Sequence, residues 1–317
     1  MNALISDIKE HKGTECDTVF IGGGTPTVLG ERLIDVINAA FESFVLDENY
    51  EFTVEANPGT VDLNLLGKMK KAGVNRLSLG VQSFNDEELK ELGRIHSAKE
   101  AVEAFYMARR AGFDNINIDL MLSTPKQTLE SVKSTLDIVN KLNPEHVSAY
   151  SLIVEEGTPF YDMELDLPDE DTEREIYHYT VDFLESMGLK RYEISNFAKS
   201  GYECRHNIKY WTGEEYIGLG AAAASYVNNF RYTNTCDISD FTDGVRFEEK
   251  EFIDQEERMK EKFLLGLRMS RGVKYTGEFK EIIHKLTSQG LLEVAGGFAH
   301  LTDKGFDLGN LVFMEFI

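Results

Sequence analysis

Groups able to hold a small polar ligand recur in the first half of the chain, each at or near the end of a short β-branched run. Gly22, Gly23, Gly24 and Thr25 follow "TVFI", Glu55 closes "EFTVEA", Gln82 closes "RLSLGVQ", and Asp119 lies late in "NINIDL". Glycines let backbone amides and carbonyls approach a ligand that a Cβ would hold away, and a loop needing one left-handed residue needs only one of them. Carboxylates accept from hydroxyls or an ammonium, and an amide does both. Taken singly, each of these side chains is as well read as a helix cap or a turn residue, and Asn57-Pro58-Gly59 is read as a turn alone. Their placement together needs a different account.

The elements that position them alternate. The runs "TVFI", "EFTVEA", "RLSLGV", "NINIDL" and "HVSAYSLIV" are separated by segments with apolar residues at three- and four-residue spacing, such as "ERLIDVINAAFESFV" and "SAKEAVEAFYMARRAG". Strand-helix alternation predicts a parallel sheet with helices outside it, open or rolled into a barrel. Ligands then bind at the carboxyl ends of the strands, so the five runs bring these groups to one rim. Residues 2–12 read as a helix with no strand before it, which predicts an incomplete barrel with an open edge.

Bulk composition narrows the partners. The 317 residues are 42% hydrophobic, and 55 acidic against 33 basic residues give a net charge of -22. Such a field repels phosphate backbones, so nucleic acid is not an expected partner. No apolar run reaches membrane-spanning length and the first residues lack a signal-peptide pattern, which points to the cytoplasm. Cys16, Cys204 and Cys236 are too few and too far apart for a disulfide framework or a thiolate metal cluster. The reading therefore places no metal ligands and no catalytic residue.

The second half changes texture. "DTEREIYHYTVDFLESMGLK" predicts a helix and "RYEISNFA" a strand. The aromatic, Gly- and Asn-rich stretch from Lys199 to Asn234 predicts irregular structure, and "FTDGVRFEEKEFIDQEE" a charged connector. "ERMKEKFLLGLRMSRG" and "EFKEIIHKLTSQGLL" predict helices before the hairpin pattern "LEVAGGFAHLT", a winged-helix-like module. The expected divisions are 1–160, a barrel core; 161–245, the rest of the barrel and the aromatic segment; and 246–317, the terminal module.

Five motifs in register, "IGGGTPT", "VEANP", "RLSLGVQSF", "NIDLML" with "TPKQT", and "LNPEHVSAYSL", resemble the radical S-adenosylmethionine proteins related to oxygen-independent coproporphyrinogen III oxidase. "YEISNFAKSGYECRHNIKYW", with its HN-x-x-YW pattern, resembles the heme-chaperone subgroup of that family, and the likeness runs on to "LTDKGF". It implies a (β/α) barrel of radical-SAM type, incomplete here, with a small winged-helix-like C-terminal domain. It implies that Gly22, Gly23, Gly24 and Thr25 lie beside the methionyl group of S-adenosylmethionine, with Glu55, Gln82 and Asp119 as further polar contacts. Arg94, in "LGRIHS", would pair with the cofactor's carboxylate, though by itself it reads as a surface helix charge. His206, Tyr210 and Trp211, with Tyr202, would contact heme; the plain alternative for His206 is a ring whose nitrogens fix a loop. His96 reads as an ordinary surface residue. Heme and heme-accepting proteins are the implied partners.

The sequence also departs from the family. Its C-x-x-x-C-x-x-C loop, whose thiolates hold a 4Fe-4S cluster, would lie upstream of Met1, and nothing in these residues replaces it. S-adenosylmethionine binding is accordingly expected to be weak. Ala224 stands where the family's Gly/Ala-rich run leads one to expect histidine, and the terminal module reads as shortened after Glu278-Phe279. Three functions remain: a heme-binding chaperone, the oxidase itself (which needs the cluster segment), and an inactive paralogue.

Overall fold

Strands buried on both faces of a parallel sheet are ordinarily apolar throughout, yet here polar and apolar residues alternate. The computed structural model describes every residue except Pro159. After α1 (Asn2–Glu10), five parallel strands run β1 (Glu15–Ile21), β2 (Val45–Ala56), β3 (Arg76–Gln82), β4 (Ile116–Leu122) and β5 (His146–Ser151), paired in that order. One face carries Phe52, Val54, Leu77, Leu79, Ile116, Ile118 and Val147, all fully buried. Against it pack α2 (Leu33–Ser43), α3 (Leu63–Lys71), α5 (Ala98–Arg110), α6 (Leu129–Leu142) and α7 (Glu170–Ser186), contributing Leu66, Phe105, Leu136 and Leu184 to a single core, while the short α4 (Asp86–Glu91) falls between β3 and α5 in the chain. A capping box of Ser97 and Glu100 starts α5, and one of Thr128 and Ser131 starts α6.

The other face is the concave one and is polar. Glu51, Thr53 and Glu55 of β2, Arg76 and Ser78 of β3, Asn117 and Asp119 of β4, and His146, Ser148 and Tyr150 of β5 share it by the two-residue period, and Gln82, beyond an irregularity in β3, meets Tyr150 there. Register makes neighbours of Thr53 and Arg76, of Glu55 and Ser78, and of Asp119 and Ser148. The sheet is a curled half-barrel.

"RYEISNFA" does not form the single strand expected. It folds back as β6 (Lys190–Glu193) and β7 (Asn196–Ala198), an antiparallel hairpin, with β7 pairing antiparallel to β5. The buried Glu193 carboxylate accepts from the Ser195 amide at 2.9 Å and from the Asn196 side chain, which pins the reversal. The aromatic stretch is also more ordered than expected. It contains α8 (Arg205–Thr212) and the hairpin β8 (Ala224–Val227) and β9 (Phe230–Asn234), whose turn residues Asn228 and Asn229 are both left-handed. Helix α9 (Ile238–Thr242) leads into the charged connector, which holds β10 (Phe247–Phe252), and β10 completes a three-stranded sheet with β9 and β8.

The terminal module has α10 (Gln255–Gly266), β11 (Val273–Lys274), α11 (Lys280–Ser288), β12 (Leu292–Ala295), β13 (Phe298–Leu301), α12 (Asp303–Asp307) and α13 (Gly309–Phe313) around its own core of Phe263, Leu286, Leu301 and Phe316. Helices followed by the expected hairpin give the winged-helix-like arrangement. Arg174 and His178 of α7 both reach Asp307, at 2.8 and 3.0 Å, and join the module to the barrel. No helix among the described residues is long and apolar enough to cross a membrane.

One carboxylate attaches α8 to the sheet. Glu51, buried on the concave face, accepts from the backbone amides of Arg205 (2.9 Å) and His206 (3.0 Å) and from the Cys204 thiol (3.5 Å). Helix amides left without partners at an N-terminus are satisfied here by a residue more than 150 positions away. Replacing Glu51 with Ala strands these buried donors, and should cost about 3 kcal/mol. Thermal unfolding of Glu51→Ala checks this, together with proteolysis of the segment around Arg205, which should become faster. An unchanged melting temperature and cleavage pattern would contradict it.

Candidate functional site

Between the concave face and α8 lies a cavity of about 270 Å³. Phe20 and Glu55 border it, Arg76, Ser78, Asn117, Asp119 and Ser148 line its strand side, and His206, Asn207 and Tyr210 come from the helix. Most of these groups are bonded to one another. Asn117 donates to Ser78 and Asp119, both at 2.7 Å, Ser78 donates to Asp119 at 3.2 Å, and Ser148 donates to Asn117 at 3.2 Å. Below them His146 bonds Asn117 at 2.7 Å and Tyr192 at 2.8 Å. Burial holds His146 well below the ordinary histidine range, so its ring is neutral and links the two.

Glu55 and Asp119 are the acids of the cavity. Burial, reinforced by the neighbouring Asp119 charge, pushes Glu55 up to about 7, against the opposing pull of a hydrogen bond from the Gly23 amide. Burial raises Asp119 as well, although Asn117, Ser148, Arg76 and Ser78 all favour its charged form. A carboxyl near 7 accepts or donates a hydrogen bond at neutral pH with little bias.

The glycine triplet divides its work. A Cβ at Gly22 would lie 2.8 Å from the Glu55 carboxyl carbon and 2.8 Å from the Phe20 ring, so Gly22 is required by its protein neighbours. Gly23 and Gly24 have φ of +84° and +146°, and the space where a Cβ would stand is open. These two residues present backbone to the rim without side chains in the way. At the next strand Gln82 is left-handed at φ +71°, where the β3–β4 register slips, and its amide oxygen accepts from Tyr150 at 3.1 Å. Strain of this kind in a non-glycine residue is characteristic of ligand-contacting positions. The missing side chain of Gly80 makes room for the Gln82 amide nitrogen and the Arg94 guanidinium, 3.4 and 3.5 Å from where a Cβ would be. Arg94 thus reaches back over β3 toward the concave face, and forms no ion pair with a described residue.

The HN-x-x-YW residues do not act as one group. The His206 ring stacks on Phe20 with centroids 5.2 Å apart, its Nδ1 lies 2.9 Å from the Thr18 hydroxyl, and its Nε2 lies 2.9 Å from the Tyr210 hydroxyl. Burial brings it down to about 4, so the imidazole is neutral. Trp211, about 100° further round the helix, leaves the cavity and stacks on the Arg268 guanidinium at 4.6 Å, against the terminal module. Tyr202 is not part of the cavity wall. Ala224 opens β8 with its side chain exposed, also away from the wall. His96, expected at the surface, is buried, with Nε2 3.1 Å from the Val81 carbonyl oxygen; the connection between α4 and α5 brings it back against β3. Among the described residues no three His, Cys, Asp or Glu side chains come together to hold a metal ion.

Sequence reasoning passed over Arg76, Ser78, Asn117 and Ser148, and gave Asn207 of the HN-x-x-YW pattern no contact. The signal was present in "EFTVEA", "RLSLGVQ", "NIDL" and "HVSAY", where polar residues fall at every second position of strands predicted to be parallel.

Because Glu55 keeps its proton longer when folded than when unfolded, the folded state binds more protons between about 4.5 and about 7. Stability on this account is lost as pH rises through that window. Glu55→Gln removes the ionisation and should raise stability above pH 7 by about 1 kcal/mol, with no gain near pH 4. Urea unfolding at both pH values reads it; an equal effect at both would rule out the shifted carboxyl.

Comparison with known proteins agrees with this architecture. Residues 2–139 match the Radical SAM superfamily and residues 253–308 the HemN C-terminal domain. The chain is 38% identical to the Bacillus subtilis heme chaperone HemW over 338 residues, covering 99% of this chain and 89% of that one. It is 35% identical to the Escherichia coli heme chaperone HemW, covering 96% and 85%. Coproporphyrinogen III oxidase (HemN) from Escherichia coli, a radical SAM enzyme, has the same fold, with a TM-score of 0.85 at 23% identity over 99% of this chain and 82% of that one. With its half-barrel, its HN-x-x-YW helix on the concave face and its terminal module, the chain belongs to the HemW family of radical SAM proteins.

Proposed function

We propose that this chain binds heme at the mouth of the half-barrel, beneath α8, and passes it to heme-accepting proteins in the cytoplasm. The observation that carries the reading is the seating of α8, which brings a neutral His206 and Tyr210 to the polar concave face, in a chain similar almost throughout to curated heme chaperones. Heme, when bound, supplies an iron able to take a neutral nitrogen ligand, two broad apolar faces and two carboxylate arms. A neutral imidazole is the form of histidine that donates a lone pair. His206 offers Nε2 once the Tyr210 hydroxyl turns aside, while Thr18 holds Nδ1 and Phe20 holds the ring plane. Tyr210 then supplies aromatic surface, and Trp211, clamped on Arg268, keeps the helix from yielding.

The rim fits S-adenosylmethionine on the same terms. Gly23 and Gly24, between Gly22 and Thr25, offer open backbone to a methionyl group, Arg94 offers an unpaired guanidinium to its carboxylate, and Glu55, Gln82 and Asp119 accept from hydroxyls or the ammonium. The described residues do not fit an iron-sulfur cluster, because three thiolates nowhere converge.

Titration of the purified protein with hemin, followed in the Soret band, tests the heme site. Wild type should give a bound spectrum that His206→Ala shifts and weakens by about ten-fold or more. Identical spectra and affinities would leave His206 as a loop-fixing residue only.

A further inference from the structure

Arg76 lines the cavity, and among the described residues no carboxylate pairs with it, although the charges of Glu51 and Asp119 act on it without contact and favour its charged form. It is 2% exposed, its Nε is buried without a hydrogen-bond partner, and its guanidinium makes no hydrogen bond or ion pair with any described residue. A guanidinium cannot shed its charge, so burial without an acceptor carries a large desolvation cost.

The nearby carboxylates do not meet it. Glu51 commits its oxygens to Arg205, His206 and Cys204 at the start of α8, and Asp119 commits one oxygen to Asn117 and the other to Ser78. Ser78, Asn117 and Ser148 likewise spend their donors on one another and on Asp119. On the opposite wall Asn207 faces the cavity with a carboxamide bonded to no described residue. Two sets of free donors therefore face one space, from β3 and from α8.

We infer that this cavity is a receptor for a carboxylate, held by the planar fork of Arg76 and by the amide of Asn207. Resting on the heme reading above, the occupant is one propionate arm of the tetrapyrrole. A cavity of about 270 Å³ falls below the roughly 300–1,000 Å³ of whole-ligand pockets, so it takes an arm and leaves the macrocycle at the mouth, beside His206. Bidentate pairing of guanidinium with carboxylate is the strongest neutral-pH contact available to Arg76. The acids of the wall oppose it weakly, because burial pushes both Glu55 and Asp119 toward their protonated forms.

The test compares ligands that differ by their carboxylates. Hemin and hemin dimethyl ester are titrated into wild type, Arg76→Gln, Arg76→Lys and Asn207→Ala. S-adenosylmethionine and decarboxylated S-adenosylmethionine, which lacks only the carboxylate, are titrated in parallel. Wild type should prefer hemin to its ester by about ten-fold or more. Arg76→Gln should abolish that preference, with Arg76→Lys keeping part of it and Asn207→Ala reducing it. The second pair should be insensitive to Arg76→Gln.

Equal binding of hemin and ester by wild type would overturn the carboxylate receptor and leave the heme reading standing. A preference that survives in Arg76→Gln would do the same. If hemin does not bind at all the heme reading fails, and the second pair decides: discrimination lost in Arg76→Gln keeps the receptor, with S-adenosylmethionine as its source of carboxylate. No discrimination, or no binding by either pair, overturns it. Should Arg76→Gln fail to fold, Asn207→Ala carries the same comparison.

Discussion

The carboxylate of Glu51 sets the geometry on which the rest depends. It is the concave-face residue of β2 that receives the first amides of α8, and so decides where His206, Asn207 and Tyr210 stand relative to the strands. A helix of eight residues is too short to be stable alone. Its existence is a consequence of tertiary contact: the Glu51 cap at one end, His206 against Phe20 and Thr18 on one side, and Trp211 against Arg268 on the other. The same short helix therefore touches the barrel interior and the terminal module together.

The fold divides its energetics by face. The convex face of the sheet and the helices outside it form a continuous apolar core, and supply the burial that stabilises the domain. The concave face contributes little of that kind. Its serines, asparagines and acids hold one another by hydrogen bonds, each of which adds only about 1 kcal/mol net once the loss of water is counted. That leaves the face free to be polar, strained at Gln82 and charged at Arg76, features a packed interior would not carry. Such a surface is built to be completed by something else.

Much of the fold was legible in sequence because its strands and outer helices are strongly periodic and locally capped. Strand-helix alternation gave the parallel half-barrel, and the terminal hairpin with its Gly296-Gly297 turn was recognisable from composition. The reversal at Ile194-Ser195 was not, because the residue that forces it, Glu193, acts through its buried side chain and not through a turn motif. Nor was α8, whose cap lies in a distant strand. Of the site, the rim residues were found from their position at strand ends, while the deeper ones were hidden in plain alternation. Trp211 illustrates the limit of a motif: adjacent letters on a helix face different neighbours, and this one joins the terminal module.

Amide hydrogen exchange of the whole protein, with and without hemin, tests the central claim that α8 and the concave face form one ligand site. The account predicts slowed exchange on hemin binding across residues 205–212, together with the carboxyl-terminal residues of β1, β2 and β3. Protection confined to the terminal module or to the outer helices, with α8 unchanged, would contradict it.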